Sequence, residues 1–310
     1  MYNYKYNFEQ NSQHRIEILE MSDEKCKFSF EGDLSIANAI RRVMIAEVPV
    51  MAIHFVDIIE NTSPLSDEFL AQRLGLIPLV SYAADSKMYD WEADADSIDD
   101  QKTKVVFTLR QKNLNDAPLE ITSQHLEPEF GQVGEMAIRP VRMFSPINGK
   151  EVGIPITRLG KNQSVHVRCH ALKGFGKMHA KWTPINIATF RHEAELLIDH
   201  VQAQQLSLFE KQSIRDSCPM NVFAMDANQE LIVNAIEKCV FCEECIRCAE
   251  SIKKPRLIKM QHKKNKYIFT VESAGQLKAV DIVKQALIVL RKKVDEISQD
   301  LSFAQQYQQI

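Results

Sequence analysis

The chain has 310 residues, enough to bury a sizeable core and, on length alone, to form about two domains. Its 38 Lys and Arg against 41 Asp and Glu leave a net charge of −3, so no global field directs it to nucleic acid or to an acidic membrane. The N-terminus, MYNYKYNFEQ, has no basic patch leading into an apolar core, and no window reaches the roughly 18 apolar residues of a membrane span, so a soluble, unsecreted chain is expected.

Two stretches depart from this even balance. MYDWEADADSIDD (88–100) carries six carboxylates, and SIKKPRLIKMQHKKNK (251–266) carries seven Lys or Arg. Each reads first as a solvated loop. No internal repeat and no low-complexity tract is visible.

CKFSFEG (26–32) alternates apolar and polar residues with the period of a strand. The period lengthens to 3.6 at DLSIANAIRRVMIAEVP, where Asp33 stands as N-cap, Ile36, Ile40 and Val43 share a face, and Pro49 limits the helix. VMAIHFVDII (50–59) reads as an apolar strand. NTSPLSDEFLAQRLGLIPL (61–79) reads as a capped turn and a short helix closed by Gly75 and Pro78.

Strands are expected at 104–110, 118–122, 153–159 and 163–169, separated by polar turns. In KGFGKMHAKWTP (173–184), Gly174 and Gly176 could suggest a phosphate cradle, but no strand-to-helix frame with the usual glycine spacing surrounds them, so a turn between strands is expected. Residues 191–212 read as helix, and KYIFTVES (266–273) as a strand. From Val280 onward, Val283, Leu287, Leu290, Val294 and Ile297 recur at alternating steps of four and three, the seam spacing of packed helices. Two apolar-faced helices at opposite ends of the chain, each beside a strand, imply one domain assembled from both termini, with the middle inserted and a helical seam left for a partner chain.

LSIANAIRRVMIAEVPVMAI with NTSPLSDEFLAQRLGLIPL, the block GFGKMHAKW, and FTVESAGQLKAVDIVKQALIVLRKKV together resemble the alpha-like subunits of cellular RNA polymerases. Within that family, DEFLAQRLGLIPL, GFGKMHAKW and the short lead before the first strand are most similar to the branch serving RNA polymerase II, followed by the branch shared by polymerases I and III and by the archaeal branch. The resemblance implies a non-catalytic nuclear subunit that pairs with a smaller alpha-like partner. The heterodimer would then be the platform for the second-largest and largest subunits, with DNA met only through the complex and no membrane contact. It assigns Ile36, Ile40, Val43, Val283, Leu287, Leu290 and Val294 to dimerisation, and Arg41 and Arg42 to contact with the large subunits. The residues agree that the chain is not an enzyme: no metal-binding carboxylate triad, P-loop or Ser/His/Asp pattern stands at usable spacing. The zinc loop usual in this branch after GLIPL is missing, because MYDWEADADSIDDQKTK has neither Cys nor His.

CVFCEECIRC (239–248) holds four of the seven cysteines. In a reducing compartment such clustering favours metal over disulfide. Three-residue spacing on one continuous helix would turn Cys239 and Cys248 to opposite faces, so the segment must loop if its cysteines share a metal. Cys239, Cys242 and Cys245 match the wrapping triplet of a ferredoxin, and Cys218–Pro219 supplies a remote Cys-Pro. A [4Fe-4S] cluster on Cys218, Cys239, Cys242 and Cys245, zinc on four cysteines with Cys248 as alternative ligand, and a metal-free remnant all remain open. A similar ferredoxin-like insert also occurs in the archaeal branch of the family. Cys26 and Cys169 fall in expected strands and read as buried core thiols.

The expected fold is therefore α+β. A discontinuous dimerisation domain (1–48 and 261–310) would enclose an inserted mainly-β domain (49–190) and a cysteine-rich, ferredoxin-like insert (191–260). Rival readings are an iron–sulfur electron carrier, and a zinc-dependent nucleic-acid binder using residues 251–266, a run poor in aromatics for stacking bases.

Overall fold

The computed structural model describes residues 15–89, 92, 100–129 and 137–307. The acidic run 88–100, apart from Met88, Tyr89, Glu92 and Asp100, lies outside them. In chain order the elements are β1 (Arg15–Met21), β2 (Lys25–Glu31), α1 (Leu34–Ala46), β3 (Val50–Asn61), α2 (Asp67–Gly75), α3 (Asp100–Thr103), β4 (Lys104–Lys112), β5 (Leu119–Thr122) and β6 (Glu127–Pro128). There follow β7 (Met143–Phe144), β8 (Glu151–Val152), β9 (Pro155–Leu159), β10 (Ser164–Gly174), β11 (Ile185–Ile198), α4 (His200–Gln204), α5 (Leu208–Ser217), β12 (Phe223–Met225), β13 (Leu231–Val233), α6 (Glu244–Ser251), β14 (Ile258–Ser273) and α7 (Ala279–Tyr307). The class is α+β.

Two compact units divide the chain. One holds the described residues up to Glu17, then Phe28–Leu34 and Phe190–Phe269; the other holds Ile18–Lys27, Ser35–Thr189 and Thr270 onward. The second unit thus contains both α1 and α7, contributed from opposite ends of the sequence.

In the second unit, the antiparallel sheet β3-β10-β4-β6 sets Cys169 opposite Val56 on one side and Phe107 on the other. Alternation along β4 buries Val105, Phe107 and Leu109, and α2 adds Leu70 and Leu74 to the same core. Asp67 and Glu68 occupy the first turn of α2 and Arg73 its last, each sign matching the helix dipole. Arg73 also donates from Nε to the Ile156 carbonyl and from Nη2 to that of Pro155, both at 2.7 Å, which fixes α2 to β9. Cys169 is fully buried, and desolvation pushes its thiol up to about 12. Cys26 is likewise buried, so both isolated cysteines are core thiols.

Close packing accounts for the glycines of KGFGK. A Cβ on Gly174 would strike the indole of Trp182, and one on Gly176 would strike the backbone oxygen of Ile45. Trp182 itself is buried, with Nε1 donating to the Leu172 carbonyl at 3.1 Å. These glycines serve side-chain and backbone approach.

Strands β1, β2, β14 and β11 form a four-stranded sheet in that order. In the first unit, Phe28 stacks on Phe269 at 4.8 Å, while a separate core gathers Ile214, Val222, Phe223, Ala249, Leu257 and Ile258 beneath α5, α6 and the β12–β13 hairpin. α5 opens on a capping box, with the Ser207 hydroxyl accepting from the Glu210 N–H and the Glu210 carboxylate accepting from the Ser207 N–H.

Two expectations are corrected here. Residues 191–198 are strand, and helix begins only at His200 and again at Leu208. The Glu, Ala and Leu of RHEAELLI favour helix, but Ala194, Leu196 and Ile198 also alternate toward the first unit's core, and sheet pairing with β14 overrides propensity. The basic run 251–266 is not one solvated loop either. From Ile258 it is β14, where Lys263 and Lys266 meet Glu193 at 2.6 and 3.1 Å.

Gly176→Ala should destabilise the protein by about 1–3 kcal/mol in urea unfolding, because the obstructing atom is backbone and cannot rotate away. An unchanged midpoint would show that the loop opens freely. A second expectation concerns Glu129, whose carboxyl the Arg168 guanidinium at 2.6 and 2.7 Å and the Thr108 hydroxyl hold down at about 2, against an ordinary value of 4.5. A depressed folded pKa contributes stability that is present above the unfolded value and fades as pH falls through the folded one. The melting-temperature gap between wild type and Glu129→Gln should therefore be full above pH 4.5 and vanish near pH 2; a gap independent of pH would contradict the pairing.

Candidate functional site

Two features stand out from the scaffold, a helical seam and a cysteine-lined cavity. α7 has 29 residues, which makes it about 43 Å long. Its first turns are anchored within the second unit, where Ala279, Ile282, Val283 and Ala286 are buried. The Ala279 N–H donates to the Asp23 carbonyl at 2.9 Å, and Lys278 pairs with the Asp23 carboxylate at 3.1 Å. Farther along, Gln285 donates to Asp85 at 2.8 Å, and Lys293 reaches Glu47, just past the end of α1, at 2.7 Å.

Beyond these ties the apolar stripe loses its cover among the described residues. Leu287 and Leu290 are half-buried, while Val294, Ile297 and Leu301 are 59, 60 and 61 % exposed. Their alternating steps of three and four keep them on one stripe, the spacing that feeds knobs into a facing helix. Sequence reasoning ended this seam at Ile297; adding four places Leu301 on it, a signal legible in the same periodicity. Of the other dimerisation candidates, Ile36 is half-buried, whereas Ile40, Val43 and Val283 lie inside the chain's own core. Those three support the helices from beneath.

Arg41 and Arg42 differ in their surroundings. Arg41 is held by its own helix, Nε and Nη2 donating to Asn38 Oδ1 at 3.2 and 2.9 Å. Arg42 is exposed and takes no partner among the described residues.

The cysteine segment loops, as ligand sharing requires. Residues 239–243 are irregular, and α6 starts only at Glu244, so Cys239 and Cys242 are in the loop while Cys245 and Cys248 are on the helix. Cys218 follows the end of α5. All seven cysteines are free thiols. Cys218, Cys239, Cys242 and Cys245 line one small cavity together with Leu196, Met220, Val222, Met260 and Glu243. Burial pushes the Cys245 thiol up to about 11, against the opposing hydrogen bond of the Ile246 N–H. Cys248 packs against the surrounding apolar cluster instead and does not line the cavity.

The backbone of this loop is unusual. Phe241 at φ 58° and Glu243 at φ 63° are both left-handed without being glycine, at a cost of about 1–2 kcal/mol each. Such turns point successive N–H groups into a concavity suited to anions, a device found at iron–sulfur sites. The Val222 N–H donates to Cys218 Sγ at 3.5 Å. Among the described residues, no group of three or more His, Cys, Asp or Glu is drawn around one point closely enough to hold a single metal ion.

Sequence reasoning missed the outer support of this loop. Arg191 donates from Nη1 to the Cys239 carbonyl at 2.9 Å, and the His262 ring lies 4.1 Å from that of Phe241. Both residues are on strands, β11 and β14, whose extent the sequence did not reveal.

Comparison with known proteins agrees with this architecture. The RNA polymerase Rpb3/Rpb11 dimerisation domain matches residues 27–294. A conjugation stage-specific protein of Tetrahymena thermophila is 39 % identical, over 91 % of this chain and 93 % of its own length. The RNA polymerase II subunit rpb3 of Dictyostelium discoideum is 37 % identical, over 92 % of this chain and 94 % of its own. The rpac1 subunit of RNA polymerases I and III from the same organism is 28 % identical, over 93 % and 82 %. A match spanning both α1 and most of α7, with relatives aligned over nearly their whole length, leaves one conclusion: the chain belongs to the RNA polymerase Rpb3/Rpb11 dimerisation-domain family.

Proposed function

We infer that this chain is a non-catalytic assembly subunit of nuclear DNA-directed RNA polymerase II. It pairs through α7 and α1 with a smaller alpha-like subunit, and the pair carries the second-largest and largest subunits. The observation that carries this reading is the apolar seam that runs from half-buried Leu287 and Leu290 to exposed Val294, Ile297 and Leu301. Each of these side chains contributes about 1.5–3 kcal/mol when fully buried. The higher identity to the polymerase II subunit of Dictyostelium than to its polymerase I and III counterpart supports the choice of enzyme. The dimerisation domain is assigned to 1–48 with 261–310, the inserted β domain to 49–190 and the cysteine insert to 191–260.

Arg42 offers an exposed guanidinium beside Arg41 for contact with a large subunit, since planar guanidinium groups suit carboxylates and carbonyls at interfaces. Leu290→Asp with Ile297→Asp should abolish pairing with the smaller subunit in co-purification, whereas Arg41→Ala with Arg42→Ala should leave the pair intact and block recruitment of the second-largest subunit. Normal recruitment by the purified arginine double mutant would refute the assignment.

Cys218, Cys239, Cys242 and Cys245 would hold a [4Fe-4S] cluster as a structural element. Four thiols lining one apolar cavity, three of them in the spacing of a ferredoxin triplet, suit the four corners of such a cluster. When bound, such a cluster cross-links the loop, α5 and α6. Burial of three of its ligands suits a structural role over electron delivery. Protein purified without oxygen should contain about four irons and four sulfides per chain; one zinc and no iron would establish the alternative, with Cys248 then open as a ligand. Cys242→Ser should make residues 216–250 more sensitive to protease than the α1–α7 unit, and undiminished resistance there would count against any metal.

A further inference from the structure

The loop from Cys239 to Cys245 does not hold its own shape. Between two of its cysteines, Phe241 sits in a left-handed conformation that an aromatic residue adopts only when surrounding contacts impose it. Those contacts come from outside the loop. On the N-terminal side, Arg191 of β11 donates from Nη1 to the Cys239 carbonyl at 2.9 Å, which fixes the peptide entering the turn. At the turn itself, the His262 ring of β14 lies against the Phe241 ring, 4.1 Å between centroids and tilted by 36°, and is in contact with His192 of β11 at 4.7 Å. Met260, two residues before His262, places Sδ 3.7 Å from Cys239 Sγ. Neighbouring strands thus grip the loop at its first cysteine and at its most strained residue.

We propose that Arg191 and His262 are positioning residues, which hold the Cys239–Cys245 loop in its ligand-presenting conformation so that metal retention depends on them although neither is a ligand. The proposal rests on the reading of the four cysteines as a metal site. Arg191 acts through a charge-assisted hydrogen bond to a main-chain oxygen, and His262 through ring stacking, so the two are separable by substitution. Residues outside the ligand set that orient ligands typically change metal affinity by 10- to 100-fold when removed.

The test uses the heterodimer with its smaller partner, purified without oxygen, and follows loss of visible absorption and of bound metal under excess chelator. Arg191→Ala and His262→Ala should each shorten the half-time of metal loss by about tenfold. His262→Phe keeps a ring against Phe241 and should retain the wild-type half-time. The melting temperature of the metal-free protein should be nearly the same in all four forms. Unchanged half-times in both alanine variants would overturn the proposal, as would His262→Phe losing metal as fast as His262→Ala, or metal-free melting falling in step with retention. Wild-type protein that holds no metal would remove the cysteine reading itself and this inference with it; bound metal lost at an unchanged rate would remove only the positioning role.

Discussion

The pairing role depends on a helix that the described residues cover only in part. α7 is seated by Ile282, Val283 and Ala286 and pinned by Lys278, Gln285 and Lys293, yet from Val294 its apolar stripe is exposed. Water is a poor environment for three exposed aliphatic side chains in register, and a helix this long derives its stability mainly from tertiary packing of its apolar face. A second polypeptide resolves that conflict. The function of the chain follows from where its core stops.

The cysteine loop presents the same logic at smaller scale. Left-handed Phe241 and Glu243 raise the energy of the loop, and the surrounding strands and the buried apolar cluster hold it there. What that strain achieves is a set of thiols turned toward one cavity instead of spread around a helix. The two regions lie in different compact units, so α7 with α1 and the cysteine loop are built on separate cores.

Much of this was legible in the residues. The 3.6 period of α1, the heptad steps of α7, the strand alternation at β4 and β10, and the cysteine spacing each report a local geometry that no distant contact is needed to specify. The failures share one cause. RHEAELLI has the composition of a helix and the alternation of a strand, and only pairing with β14 selects the strand. Lys263 and Lys266 look solvated until Glu193 on the neighbouring strand is seen beside them.

By itself the sequence determined which faces of α1 and α7 are apolar, where α1 and α2 end, and which family the terminal motifs resemble, because these depend on residues close together along the chain. Tertiary structure alone decided that Ile40, Val43 and Val283 belong to the interior while Val294, Ile297 and Leu301 do not, since periodicity marks a stripe but not what covers it. It also decided that Gly174 and Gly176 make room for Trp182 and for the backbone at Ile45, and that Arg191 and His262 grip the cysteine loop. Each of those contacts joins positions far apart in sequence, and only the packed chain brings them together.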